Sequence, residues 1–289
     1  MVTKYPIYVL SKGRYNACLT ANFLIKDGVE FYLVVEKSEY NLYRKKYPDT
    51  NILVLPDYAS GKGAIHVRNW IWSHSISNNH ERHWEFDDNI RCIKRLQKGM
   101  RIVCNSSIAI KVVEDFTDRY TNIGISGFNY SMFVVNETNI AYFTNCHVYS
   151  GMLIYNNMPY RWRLNYNADT DLCLQVLDDN LCTVSFNQFS IDKIATMKMK
   201  GGNTDKYKGD GRLKMAKLLE FTWPKYVTTT WKFNRPQHSV PWKKLFKQKL
   251  IRRTDIDWDA IQQTKHNIQL VAVKDIKTKN MQQFYKNNS

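Results

Sequence analysis

The sequence predicts an α/β fold, a mostly parallel central sheet flanked by helices, followed by a basic C-terminal extension. Short apolar runs alternate with helical stretches along the first third of the chain, the rhythm of β-α-β units. Those runs are continuous rather than alternating, as strands buried on both faces are. Basic residues then concentrate in the last third, where the alternation fades.

Ile7-Tyr8-Val9-Leu10 is the first strand, and Ser11-Lys12-Gly13-Arg14 is the polar turn after it. Residues 16–27 carry Leu19, Phe23 and Leu24 at helical spacing, with Gly28 as the stop. Phe31-Tyr32-Leu33-Val34-Val35 is the second strand, ending at Glu36; a helix over 40–47 follows, and residues 51–55 form the third strand. Gly61-Lys62-Gly63 opens a helix over 64–77 with Ile65, Trp70 and Ile71 on its apolar side. A fourth strand, His83-Trp84-Glu85-Phe86, runs out into Asp87-Asp88-Asn89. Beyond it the pattern predicts helices over 106–120 and 169–177. Short strands are expected near 123–126, 141–144, 147–155 and 183–189. Residues 198–211, rich in Gly and Lys, read as a loop, and the tail after Thr254 has weak periodicity. Two regions are expected: an α/β core over 1–190 and a basic, aromatic-rich part over 191–289, packed as one unit.

Ligands of such sheets sit beyond the carboxyl ends of the strands. Ser11–Arg14, Glu36, Gly61–Gly63 and Asp87–Asn89 all fall there. Carboxylates at a strand end suit a hard cation such as Mn²⁺ or Mg²⁺, which can neutralise a diphosphate. The alternative for Asp87-Asp88-Asn89 is a simple turn. Neither GxGxxG nor GxxxxGK[ST] occurs, so dinucleotide and P-loop readings lose support.

Residues 1–190 hold 20 Lys and Arg against 18 Asp and Glu, whereas residues 191–289 hold 22 against 8. Almost the whole net charge of +16 therefore lies in the last third, interleaved with Trp223, Tyr226, Trp231, Phe233, Trp242 and Phe246. Basic charge with aromatic side chains fits nucleic acid better than a membrane surface. The six cysteines show no metal-ligand spacing and read as buried thiols in a reducing compartment. No signal-peptide run opens the chain and no apolar stretch reaches membrane-spanning length, so a cytoplasmic protein without membrane association is expected.

Five segments carry a resemblance. They are Ile7-Tyr8-Val9-Leu10-Ser11-Lys12-Gly13-Arg14, Gly63-Ala64-Ile65-His66-Val67-Arg68-Asn69-Trp70, Trp84-Glu85-Phe86-Asp87-Asp88-Asn89, Asn165-Tyr166-Asn167-Ala168-Asp169-Thr170-Asp171-Leu172 and Lys200-Gly201-Gly202-Asn203-Thr204. Together, across roughly residues 5–245, the chain resembles the GT-A-like (Rossmann-like) nucleotide-sugar glycosyltransferases. Within them it is similar to the phage TET-associated glycosyltransferases, implicated in adding sugars to hydroxymethylated pyrimidines in DNA.

The resemblance implies a UDP-sugar donor, Mn²⁺ or Mg²⁺, and double-stranded DNA carrying 5-hydroxymethylcytosine as acceptor. Asp87, Asp88 and Asn89 match the DxD-type motif that binds metal and ribose, departing from it at Asn89. His238 corresponds to a late metal-binding histidine. Ser11, Lys12, Arg14 and Glu36 would flank the base and ribose, Arg68 and Asn69 the phosphates, and Gly201 and Gly202 a loop closing over the donor. Asp169 is the expected catalytic base, with Asp171 second; the family's Glu-Asp pair is here Ala168-Asp169. A helix N-cap is the other role open to either Asp. His147 is read as a liner of the sugar pocket or as a packed core histidine. Alternatives to the DNA reading are a glycosyltransferase on another acceptor, or a nucleotidyltransferase.

Overall fold

The computed structural model describes residues 2–135, 140–194, 210–232, 234–258 and 261. The first part alternates as expected: β1 (Ile7–Leu10), α1 (Leu19–Lys26), β2 (Tyr32–Val35), α2 (Tyr40–Lys46), β3 (Asn51–Val54), α3 (Ala64–Ser77) and β4 (Arg82–Asp87). There follow β5 (Ile90–Gln97), β6 (Met100–Cys104), α4 (Ser106–Thr117), β7 (Ile123–Tyr130), β8 (Tyr142–Thr144), β9 (Gly151–Tyr155), α5 (Ala168–Asp178) and β10 (Cys182–Lys193). The last described elements are α6 (Gly211–Thr222), β11 (Thr228–Lys232), β12 (Arg235–Ser239) and α7 (Trp242–Leu245).

One large sheet has the order β3-β2-β1-β4-β9-β7-β10-β5-β6, with β8 added on β10. β3, β2, β1 and β4 are parallel, while β9 enters antiparallel between β4 and β7. The β4 alternation explains the layering. Trp84 and Phe86 point to one face, where Trp84 stacks on Phe128 at 5.4 Å beneath α1, α2 and α4. His83, Glu85 and Asp87 point to the other, which α3 and α5 cover through Ile71, Trp72, Leu172 and Val176. β7 and β9 approach too closely for any side chain at Gly127, whose added Cβ would lie 2.2 Å from the Gly151 carbonyl oxygen.

The β5–β6 hairpin is not among the expected strands. Its apolar residues are broken by Arg91, Lys94 and Arg95, and its turn is Lys98-Gly99 at φ 49 and 76, a both-positive turn without the usual Asn or Asp. β10 runs through residue 190, so the expected boundary falls inside a strand. The basic part packs on α5 through Leu174, Leu177, Leu219, Tyr226 and Phe246. No described helix is long and apolar enough to cross a membrane.

Candidate active site

β2 and β4 flank β1, so the chain reverses direction across the sheet at β1, and the crevice beyond the ends of β1 and β4 is the place for a ligand. Leu10 pairs with Asp87, which brings Ser11–Arg14 and Asp87–Asn89 out side by side. A cleft of 590 Å³ opens there, walled by both segments, Glu36, Gly61–Gly63, the start of α3, the start of α5 and Lys193. Ligand pockets run from about 300 to 1,000 Å³, and this cleft falls within that range. Two helix N-termini, at Ala64 and Ala168, reach this wall, and such ends favour anions.

The floor is a lattice of charges. Arg68, in the second turn of α3, reaches the buried Glu85 and sets its Nη2 2.9 Å from Asp87 Oδ1, while its guanidinium stacks over Trp162 at 4.6 Å. Lys193 Nζ lies 3.1 Å from Asp87 Oδ2 and 2.7 Å from Ser150 Oγ. Burial disfavours an ionised Asp87, yet Lys193 and Arg68 hold its carboxyl below the ordinary range. Asp88 is buried; burial pushes its carboxyl up, although Arg14 pairs with one oxygen and Ser11 Oγ donates to the other at 2.8 Å. Thr20 pins the turn: its hydroxyl donates to the Asp87 carbonyl and accepts from Ile90 N at 3.1 Å.

Other expected ligands serve the wall indirectly. Glu36 accepts from Lys12 at 2.9 Å, from Ser60, and from Gly61 N, so its acceptor sites are filled and it shapes the loop at Gly61 instead of awaiting a base. Burial opposes its ionisation, but Ser60 and Lys12 keep its carboxyl below the usual value. Asn69 is not in the cleft; its amide clamps the Trp162 backbone, donating to the carbonyl at 2.8 Å and accepting from N at 3.1 Å. Gly201 and Gly202 lie outside the described residues.

Asp169 stands in the first turn of α5 with its carboxylate 39% exposed on the cleft wall, 3.4 Å from His147 Nε2. Burial opposes its charge, yet His147, its own helix's Thr170 N–H and Arg68 hold the carboxyl far below the ordinary range. His147 stacks on Trp242 and shares Thr170 with His238, whose Nε2 is 3.5 Å from Thr170 Oγ1. Burial and His147 push the His238 imidazole down to about 4. Asp171 faces away. It is fully buried, gripped by Arg163 at 2.9 Å, and accepts from Gln175 and from Trp223 Nε1. That is a structural anchor for α5, and it corrects the expectation of a second base.

The expected cation ligands do not assemble. His238 belongs to the Asp169 cluster, both Asp87 oxygens meet Arg68 and Lys193, and both Asp88 oxygens meet Arg14 and Ser11. Asn89 donates to the Ile194 carbonyl at 3.2 Å, and its Oδ1 alone is unpaired among the described residues of this set. Among the described residues no three His, Cys, Asp or Glu converge on a metal position. A donor set already neutralised by buried ammonium and guanidinium groups does not fit a divalent ion.

Glu85, Trp162, Ser150 and Lys193 join the site without having been expected. The first is visible in retrospect as the strand neighbour of Asp87 on the same face; Lys193 carries no local signal, being 106 positions from Asp87.

A second, open groove of about 700 Å³ lies between α7 and the β8 region, lined by Tyr120, Tyr142, Phe143, Lys243, Lys247, Lys249 and Arg252. Residues 249–253 are tied along 119–122 by Asn122, which donates to the Lys249 carbonyl at 2.9 Å and accepts from Ile251 N at 2.8 Å.

Comparison with known proteins adds relatives. GREB1-like protein of Homo sapiens is 26% identical over 224 residues, covering 66% of this chain and 12% of the relative. GREB1-like protein of Mus musculus is 25% identical over 228 residues, with the same coverage. This chain thus spans about an eighth of the length of these relatives. Among solved structures, one described as a nucleotide-diphospho-sugar transferase from Desulfovibrio desulfuricans G20 matches at 8% identity and a TM-score of 0.37, over 64% of this chain and 80% of that one. A 4-diphosphocytidyl-2C-methyl-D-erythritol synthase from Anaerococcus prevotii DSM 20548 matches at 9% identity and a TM-score of 0.38, over 67% of this chain and 94% of that one. The family described as TET-associated glycosyltransferase matches residues 5–202. That span holds every wall of the cleft from Ser11 to Lys193, and this chain belongs to the TET-associated glycosyltransferase family.

Proposed function

We propose that this chain transfers a sugar from a UDP-sugar to the hydroxyl of 5-hydroxymethylcytosine in double-stranded DNA. The observation that carries the reading is Asp169: an ionised carboxylate at a helix start, on the same cleft wall as Arg68, Asp87 and the strand-end loops. The donor's diphosphate lies toward the start of α3 and Arg68, where N–H groups and a guanidinium meet its charge. The acceptor hydroxyl comes to Asp169, which takes its proton as the bond to the sugar forms.

The DNA acceptor is supported by charge. The excess of Lys and Arg over Asp and Glu sits in residues 191–289, and the groove at Lys243–Arg252 combines cations with the half-buried rings of Tyr120, Tyr142 and Phe143. A target base must leave the stack to bring its hydroxyl into a walled cleft. The test is UDP release from a panel of UDP-sugars, with duplexes containing 5-hydroxymethylcytosine or plain cytosine. Release that requires the hydroxymethyl group supports the reading. Release indifferent to DNA removes the acceptor assignment.

A further inference from the structure

Resting on that donor reading, we propose that Lys193, with Arg68, holds the donor's diphosphate directly, so that side-chain cations and not a divalent metal neutralise the leaving group.

Lys193 is the last residue of β10, where the ladder to β5 slips between Asp192 and Lys193. Bulges at strand ends re-aim side chains beside active sites. The slip separates the fates of the two residues. Asp192 faces the surface and pairs with Lys94 at 2.6 Å and Arg91 at 3.4 Å. Lys193 turns into the cleft, its side chain only 10% exposed, with Nζ held by Asp87, by Ser150 Oγ and over the Tyr130 ring at 5.1 Å. A buried ammonium at a cleft floor is costly unless it meets anions.

The charge balance points the same way. Glu85, Asp87 and Asp88 face Arg68, Lys193 and Arg14, so the floor is compensated before any ligand arrives. A divalent ion on Asp87 would sit against two buried cations and would have to expel Lys193 from its place. An incoming diphosphate needs no expulsion: the flexible lysine stem lets Nζ swing from Asp87 to a phosphate oxygen while Ser150 keeps it in the cleft. In the transfer step the sugar C1–O bond to the β-phosphate breaks, and its electron pair stays on the phosphate oxygen beside Lys193 and Arg68. The acceptor oxygen bonds to C1, and the acceptor's proton passes to Asp169. The atoms balance without a further participant.

The experiment is calorimetric titration of the full chain with UDP, after exhaustive EDTA treatment and again with excess Mn²⁺, for the wild type, Lys193→Met and Lys193→Arg. Thermal melts run alongside, to show that each variant is folded. The expected result is wild-type affinity that changes by less than about twofold between EDTA and Mn²⁺. Lys193→Met should bind UDP at least about tenfold more weakly in both conditions, with Lys193→Arg recovering most of the loss, as a phosphate-binding cation would. UDP binding that vanishes in EDTA and returns with Mn²⁺ overturns the proposal, as does wild-type affinity in Lys193→Met. The wild-type arm decides the metal question even where a variant misfolds. Absence of UDP binding in both conditions defeats the donor reading and this proposal together. Metal-independent UDP binding without transfer to hydroxymethylated DNA removes only the acceptor reading and supports the role of Lys193.

Discussion

Arg68 on α3 and Glu85 on β4 form an ion pair in which the carboxylate is wholly buried and the guanidinium is 15% exposed. The other Glu85 oxygen accepts from Trp162 Nε1 at 3.1 Å and lies 3.2 Å from His83 Nε2. One carboxylate therefore ties helix, strand and the Trp162 segment into a single frame that aims Arg68 at Asp87. Glu85→Ala removes the wholly buried partner of Arg68, leaves it Asp87, and should destabilise the fold by about 3 kcal/mol, the low end of the cost of breaking a buried pair. Glu85→Gln keeps the shape and should lose less. Urea unfolding midpoints of the two variants check this; a Glu85→Ala midpoint equal to that of the wild type counts against the frame.

Asp169 and Asp171 are two positions apart and should behave as different kinds of residue. Asp169→Asn should lower the transfer rate by about 10²–10⁴-fold, the range for loss of a general base, without weakening UDP binding. Asp171→Asn removes the charge that Arg163 meets and sets an amide NH2 against Arg163 Nε and Gln175 Nε2, which now donate to Oδ2, and should lower the melting temperature while leaving turnover per folded molecule close to normal. Rate and UDP affinity measured side by side separate the two.

His238 gives stability a pH dependence. Its imidazole has an ordinary value of 6.5 and is pushed down to about 4, first by burial and then by the charge of His147, with Asp169 opposing. Between those values the unfolded chain binds a proton that the folded chain refuses, so stability falls as pH drops from 6.5 to 4. His238→Gln should flatten that part of the curve. Chemical denaturation at several pH values within the window measures the slope, and an unchanged slope in the variant contradicts the burial of a neutral ring.

The alternation of β1 to β4 with α1 to α3 was legible because β1, β2 and β3 are nearly continuous apolar runs, β4 alternates Trp84 and Phe86 with polar residues, and each helix has a polar or glycine border. The same borders led to Ser11, Arg14, Arg68, Asp87, Asp88 and Asp169 on one cleft. The β5–β6 hairpin was hidden by its basic residues and its Lys-Gly turn, and β11–β12 by its charged and proline-bearing sequence. Lys193 was out of reach for a different reason. Its partner Asp87 is 106 positions away, and only the strand order that puts β10 beside β5 brings the two together. Asp87 and Asp88 read as metal ligands because their cationic partners come from distant segments.

The second groove should matter for DNA and not for the donor. Replacing Lys243, Lys247 and Lys249 by Ala should weaken duplex binding and reduce the salt dependence by about 0.9 in log–log slope for each phosphate that no longer meets a lysine. UDP affinity should stay as it is, since the groove shares no lining residue with the cleft. Fluorescence anisotropy across a salt series measures the duplex binding and its slope, and calorimetry measures the UDP affinity. An unchanged slope removes this face from the DNA interface.

The most direct test of the account is the mass of the product nucleoside. The chain is incubated with UDP-sugars and duplex DNA containing 5-hydroxymethylcytosine, the DNA is digested to nucleosides, and each is weighed by mass spectrometry. The account predicts that 5-hydroxymethylcytosine gains the mass of one sugar residue, that cytosine does not, and that Asp169→Asn slows the gain by about 10²–10⁴-fold. An unmodified nucleoside with every donor, or sugar appearing unchanged with Asp169→Asn, would contradict it.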